Sequence, residues 1–89
     1  MADRTLLDED VHAGFTWIAD RLTTIRPDDE MTPNARQMLA LRFSEDTRGH
    51  TGAGGFLYGA LLERLPAVDR ALTRGEYALI VRRAEKVGA

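Results

Sequence analysis

The sequence predicts an all-α fold, a small bundle of four main helices with an extra short helical turn after Pro66. Three observations predict it. Apolar residues recur at helical spacing, most cleanly at Leu7, Val11, Phe15, Ile18, Leu22 and Ile25, which lie 4, 4, 3, 4 and 3 apart. Two stretches, Thr32-Pro33 and Thr73-Arg74-Gly75-Glu76, have the chemistry of helix starts. No segment sustains the period-two alternation of a half-buried strand.

Length and composition narrow the class. Eighty-nine residues make one domain, 1–89, near the lower limit for a core that holds without staples. There is no cysteine, which excludes disulfides and cysteine-based zinc sites. Stability is then expected from packing, completed by oligomerisation. No run approaches the roughly 18 apolar residues of a membrane span, so no membrane role and a cytoplasmic location are expected. The basic residues are eleven arginines and one lysine, a bias that suggests a GC-rich bacterial or phage genome.

Charge is unevenly placed. Residues 1–46 hold five arginines against ten acids, net −5, and residues 47–89 hold seven basic residues against four acids, net +3. These halves are able to pair within the fold, pair between two copies, or offer a basic face to an acidic partner.

The first helix is expected over 5–25, with Thr5 or Asp8 as its cap. Trp17 lies about 100° off its stripe, as a half-buried rim residue or an interface anchor. Pro27 closes the helix, since it disfavours helical geometry at the preceding residue. The second helix starts at Thr32-Pro33 and ends near 44–46, with a broad apolar face of Ala35, Met38, Leu39, Leu41 and Phe43. Four glycines then fall in the nine residues 47–55, which read as a tether. The third helix, over 54–65, has no charged residue from Phe56 to Leu62. A helix apolar all round is a buried one, so this segment is expected at the centre. Pro66 stops it and opens the extra turn over 66–72. The capping box at 73–76 launches the last helix, with Tyr77, Ile80, Ala84 and Val87 on its face.

No catalytic signature stands out, so a non-enzymatic protein without cofactor is expected. Serine occurs once, at Ser44, and no G-x-S-x-G, H-E-x-x-H or Cys/His constellation is present. Asp8 and His12, four apart on one helix, fall short of the three or four ligands of a zinc site. The leading expectation is a protein that binds another macromolecule, a protein, in a regulatory or adaptor role. Its contact residues are expected to be Trp17, Phe43 and Leu79, apolar side chains off the best helical stripes, with Arg82 and Arg83. The same surplus predicts a two-fold homodimer. One alternative is a DNA-binding regulator that uses Arg74, Arg82, Arg83 and Lys86, within a helix–turn–helix outline over 68–84. Its flaw is charged Arg74 and Glu76 flanking the turn glycine, Gly75. A further alternative is anion or small-ligand binding at 48–56, through Arg48, His50, Gly54 and Gly55. The residues after Gly55 are Phe56-Leu57, not the Lys-Ser/Thr of a phosphate-binding loop.

Overall fold

The computed structural model describes residues 3–49 and 52–88, with side chains described over 7–49 and 52–85. These described residues form four helices: α1 Asp3–Thr24, α2 Pro33–Arg48, α3 Ala53–Arg64 and α4 Arg74–Gly88. The small all-α bundle is as the periodicity predicts.

The organising element differs from the expected one. Helix α1 packs against all three others, while α2 and α3 form a hairpin beside it. Among the described residues, α4 has α1 as its only helical neighbour. The reason lies in the stripe of α1: Val11, Phe15, Ile18 and Leu22 are all buried, with Ala19 fully so. Gly14 lets α2 and α3 come close, since a Cβ there would stand 2.9 Å from Leu61 Cδ2 and 3.1 Å from Phe43 Cε2. From the hairpin, Leu39, Ala40, Phe43, Leu57, Leu61 and Leu65 complete the core; α4 adds Tyr77, Ala78 and Val81.

Local signals hold at two starts. Thr32 has extended geometry and accepts a hydrogen bond from the Ala35 amide at 3.0 Å, with Pro33 first in the helix. The capping box closes both ways: Glu76 N–H donates to Thr73 Oγ1 at 3.1 Å, and Thr73 N–H to Glu76 Oε1 at 2.8 Å. Thr5 and Asp8, expected as caps, lie inside α1 instead. That helix ends at Thr24, and Arg26 takes a left-handed φ of 52° before Pro27.

The extra turn after Pro66 does not form. Residues 66–72 carry no helix and run as an irregular segment whose Val68 and Leu72 pack on the core. The backbone hydrogen bonds a helix would make internally go elsewhere. Leu72 C=O accepts from Met31 N–H at 2.8 Å, while Arg74 and Gly75 N–H donate to Asp29 and Pro27 C=O, both at 2.8 Å. An isolated antiparallel bridge joins Glu30 and Thr73. These bonds staple the α1–α2 loop to the start of α4.

The C-terminal end of α3 is held from two directions. Arg36, on α2, donates through Nε to Pro66 C=O at 2.9 Å and through Nη2 to Leu65 C=O at 2.9 Å, and also to Leu62 C=O. It satisfies carbonyls that a helix end leaves without partners. Tyr77 Oη, on α4, donates to the same Pro66 carbonyl. Burial pushes the Tyr77 hydroxyl above its ordinary pKa, against the lowering charge and hydrogen bond of Arg36.

Candidate functional site

Helix α3 spends one face on the core and leaves the other free. Gly54, Leu57 and Leu61 are buried, with Leu65 just beyond them. On the opposite side Gly55, Phe56, Gly59 and Glu63 are exposed, and Phe56 keeps 70% of its surface. The segment that reads as buried all round is therefore buried on one side only. Between Ala53 and Leu62 it still carries no charge. Phe56 is the most exposed of four large apolar residues; Met38 is 55%, Leu79 62% and Ile25 42% exposed.

Two kinds of glycine coexist in and beside α3. Gly49 and Gly52, which flank its entry, have φ values of 91° and 57°, a region that side chains disfavour. Gly54 admits the backbone of Gly49, whose carbonyl oxygen would lie 1.7 Å from a Cβ at residue 54. These three have structural reasons. Gly55 and Gly59 have none among the described residues: both have φ outside the left-handed region, and a Cβ on either would meet nothing within 4 Å.

The expected contact residues fall in different places. Phe43 is a correction: it is buried in the core at 8% exposure, so it offers no surface. It holds Trp17 by ring contact, centroids 5.8 Å apart, and Arg21 covers the indole at 5.2 Å. Trp17 is thus half-buried against α2, on the rim its position predicts. Leu79 and Arg83 are exposed on the outer side of α4. Arg82 reaches across to Asp20 at 2.6 Å.

That last contact belongs to a pattern. Asp8, Asp10 and Asp20, all on α1, pair with Arg64 of α3 at 3.0 Å, Arg48 of α2 at 2.7 Å and Arg82 of α4 at 2.6 Å. Each of the other helices sends one arginine to its own aspartate on α1. The acidic and basic halves of the chain therefore meet within the fold. The Arg48 pair is bidentate, its Nη2 also donating to Asp10 at 3.1 Å. Hydrogen bonding to Asp10, and then its charge, raises the guanidinium above its ordinary pKa.

The anion alternative loses components by the same account. Arg48 is occupied by Asp10, and the approach to Gly54 is filled by the Gly49 carbonyl, an acceptor that repels anions. His50 lies outside the described residues. Gly55 is open to solvent at the start of α3. The DNA alternative is likewise thinned: Arg82 and Arg64 are paired, Arg74 is half-buried, and the Lys86 side chain lies outside those described.

His12 and Asp8 line an open cleft with Val11 and Phe15 as floor, Arg64 on one rim and Ala84 and Glu85 on the other. His12 Nδ1 is 3.2 Å from Glu85 Oε2, and Asp8 pairs with Arg64, so the two do not converge on a shared ligand. Among the described residues no group of three His, Cys, Asp or Glu is placed to hold a metal ion. Among those residues, too, no helix is long and apolar enough to cross a membrane. Compared with protein-family models, curated proteins and solved structures, the chain matches none at a significant level.

Proposed function

We propose that the chain is a small non-enzymatic protein of the cytoplasm that acts by binding another protein, with the outward face of α3 as its contact surface. The observation that carries this reading is Phe56: a phenylalanine 70% exposed, on a helix uncharged from Ala53 to Leu62. Aromatic side chains on an uncharged face are the usual anchors of protein interfaces, where their burial dominates binding energy. A single exposed leucine among charges, such as Leu79 beside Glu76 and Arg83, needs no such explanation. Phe56→Asp should abolish partner capture from a lysate of the source cell, while Leu79→Asp leaves it intact. Equal capture by both variants would defeat the assignment to α3.

The DNA-binding alternative has weaker support, because arginines of the basic half are engaged with aspartates of α1. Duplex binding that falls steeply with salt, and is lost on Arg82→Ala plus Arg83→Ala, would restore it.

A further inference from the structure

We infer that the occupant of the α3 face is a second copy of the same chain, packed as an antiparallel, two-fold pair of α3 helices centred on Gly59. This rests on the reading that α3 is the contact surface and names its partner. The argument begins with complementarity along the helix. At its start α3 has neither an acidic residue in the first turn nor a side-chain hydrogen bond from its N-cap, Gly52. Among the described residues its N-terminal amide dipoles lack an acidic partner: the Gly49 carbonyl stands on the buried side at Gly54, and the exposed side at Gly55 is open. At its other end the exposed face closes with Glu63. Between them lie Phe56 and the two glycines, all uncharged.

A helix with that layout complements itself when reversed. In an antiparallel pair with Gly59 opposite Gly59, residues equally far either side of the centre face each other. Glu63 then falls opposite position 55 of the second copy, beside that copy's uncapped first turn. By two-fold symmetry the contact is made twice. Phe56 falls opposite Leu62 of the other copy, a partly buried apolar side chain, while Gly59 at the centre carries no side chain to hold the two backbones apart. Gly59 is otherwise hard to account for. A glycine inside a helix weakens it relative to alanine, and here neither φ nor an internal contact requires one. A parallel pairing would set Glu63 beside Glu63 and leave both N-termini unmet. The twelve-residue length of α3 makes the patch small, so a weak dimer is expected, seen only toward high protein concentration.

Sedimentation velocity on the full chain, from low micromolar to near-millimolar concentration, tests the pairing. The expected result is a mass that rises from the 9.9 kDa of one chain toward twice that value. Gly59→Leu should hold the protein at the monomer mass while raising its melting temperature by a few degrees, since bulk blocks the approach and leucine favours helix. Glu63→Lys should weaken association at least several-fold at unchanged stability. A wild type that stays monomeric throughout overturns the pairing but leaves the binding of another protein to be judged by Phe56→Asp. A dimer that survives both Gly59→Leu and Phe56→Asp overturns the choice of surface. A Gly59→Leu variant that unfolds gives Gly59 a structural role instead, and removes the reason for centring the contact there.

Discussion

Helices α1 and α3 exchange the roles their sequences suggest. Helix α1 is charged and amphipathic, with a polar face that reads as ordinary surface, yet every other helix packs on it. Helix α3 is the most apolar segment, yet half its circumference faces water. The difference teaches what decides centrality in a small bundle. A long continuous stripe buries more than a short helix apolar all round, because only a neighbour of matching length can cover it. Among its described side chains, the 22-residue α1 presents five buried apolar ones, Val11, Phe15, Ile18, Ala19 and Leu22, and aspartates placed to reach all three neighbours. Among the described residues, the twelve of α3 have α1 and α2 as their only helical neighbours. Its outward face, with Gly55, Phe56, Gly59 and Glu63, stays exposed.

The sharpest division within α3 is between its two sides. Leu61→Ala should cost about 2–5 kcal/mol, since a fully buried leucine loses both transfer energy and packing, leaving a cavity beside Gly14. Phe56→Ala, one and a half turns earlier on the open side, should change monomer stability by no more than about 0.5 kcal/mol. Urea denaturation at low protein concentration measures both. Similar losses for the two would mean that α3 is covered on both sides, and would return it to the centre.

Arg36 comes next. Its guanidinium serves three carbonyls at the end of α3, and Arg36→Met keeps the stem while removing every donor. Hydrogen bonds from a charged group are worth about 1.5–3 kcal/mol, and a loss of that order is expected. A loss near zero would show that water replaces the arginine at this end without penalty.

The glycines divide by sign. Gly52→Ala places a side chain at a φ of 57°, and Gly54→Ala drives a methyl into the Gly49 carbonyl, so each should destabilise by about 1–3 kcal/mol. Gly59→Ala, with open space around it, should stabilise the monomer by up to about 1 kcal/mol. A reading of 47–55 as a simple tether expects the first two to be neutral. Thermal melts of the three variants separate a built turn from a tether.

What the sequence revealed and what it hid follow from the range of each interaction. The capping box at Thr73 and Glu76 and the Thr32-Pro33 start involve groups within three residues of each other, and both are present. The stripe of α1 needs only helical geometry. The fate of 66–72 depends instead on the α1–α2 loop, whose Asp29 carbonyl and Met31 amide bind the residues around Thr73. No local signal reports that. Phe43 sits off the best stripe of α2 because α2 faces two neighbours, and its ring lies against Gly14 and Trp17. The charge imbalance between halves was legible, whereas the one-to-one pairing on α1 required the helices to be placed. For the candidate surface, the uncharged run was visible, but which of its residues face outward was not.

A last expected effect tests how α3 is tied to α4. Tyr77 is fully buried, and its hydroxyl donates to Pro66 C=O just past the end of α3. Near pH 7, Tyr77→Phe removes one hydrogen bond and should cost about 0.5–1.5 kcal/mol. The pH dependence carries a definite sign. Burial raises the folded pKa of Tyr77 above its unfolded value, so the unfolded chain gives up the proton first as pH rises. Stability linked to this group is complete below about pH 10 and is lost as pH climbs from there through the raised folded value. Phenylalanine has no such proton. The gap between wild type and Tyr77→Phe should therefore narrow above about pH 10, as measured by urea midpoints at paired pH values. A gap that widens would mean that the Arg36 charge outweighs burial; one that stays constant would place the hydroxyl in contact with solvent, and α4 would then be fastened to the rest of the protein by α1 and the loop staple alone.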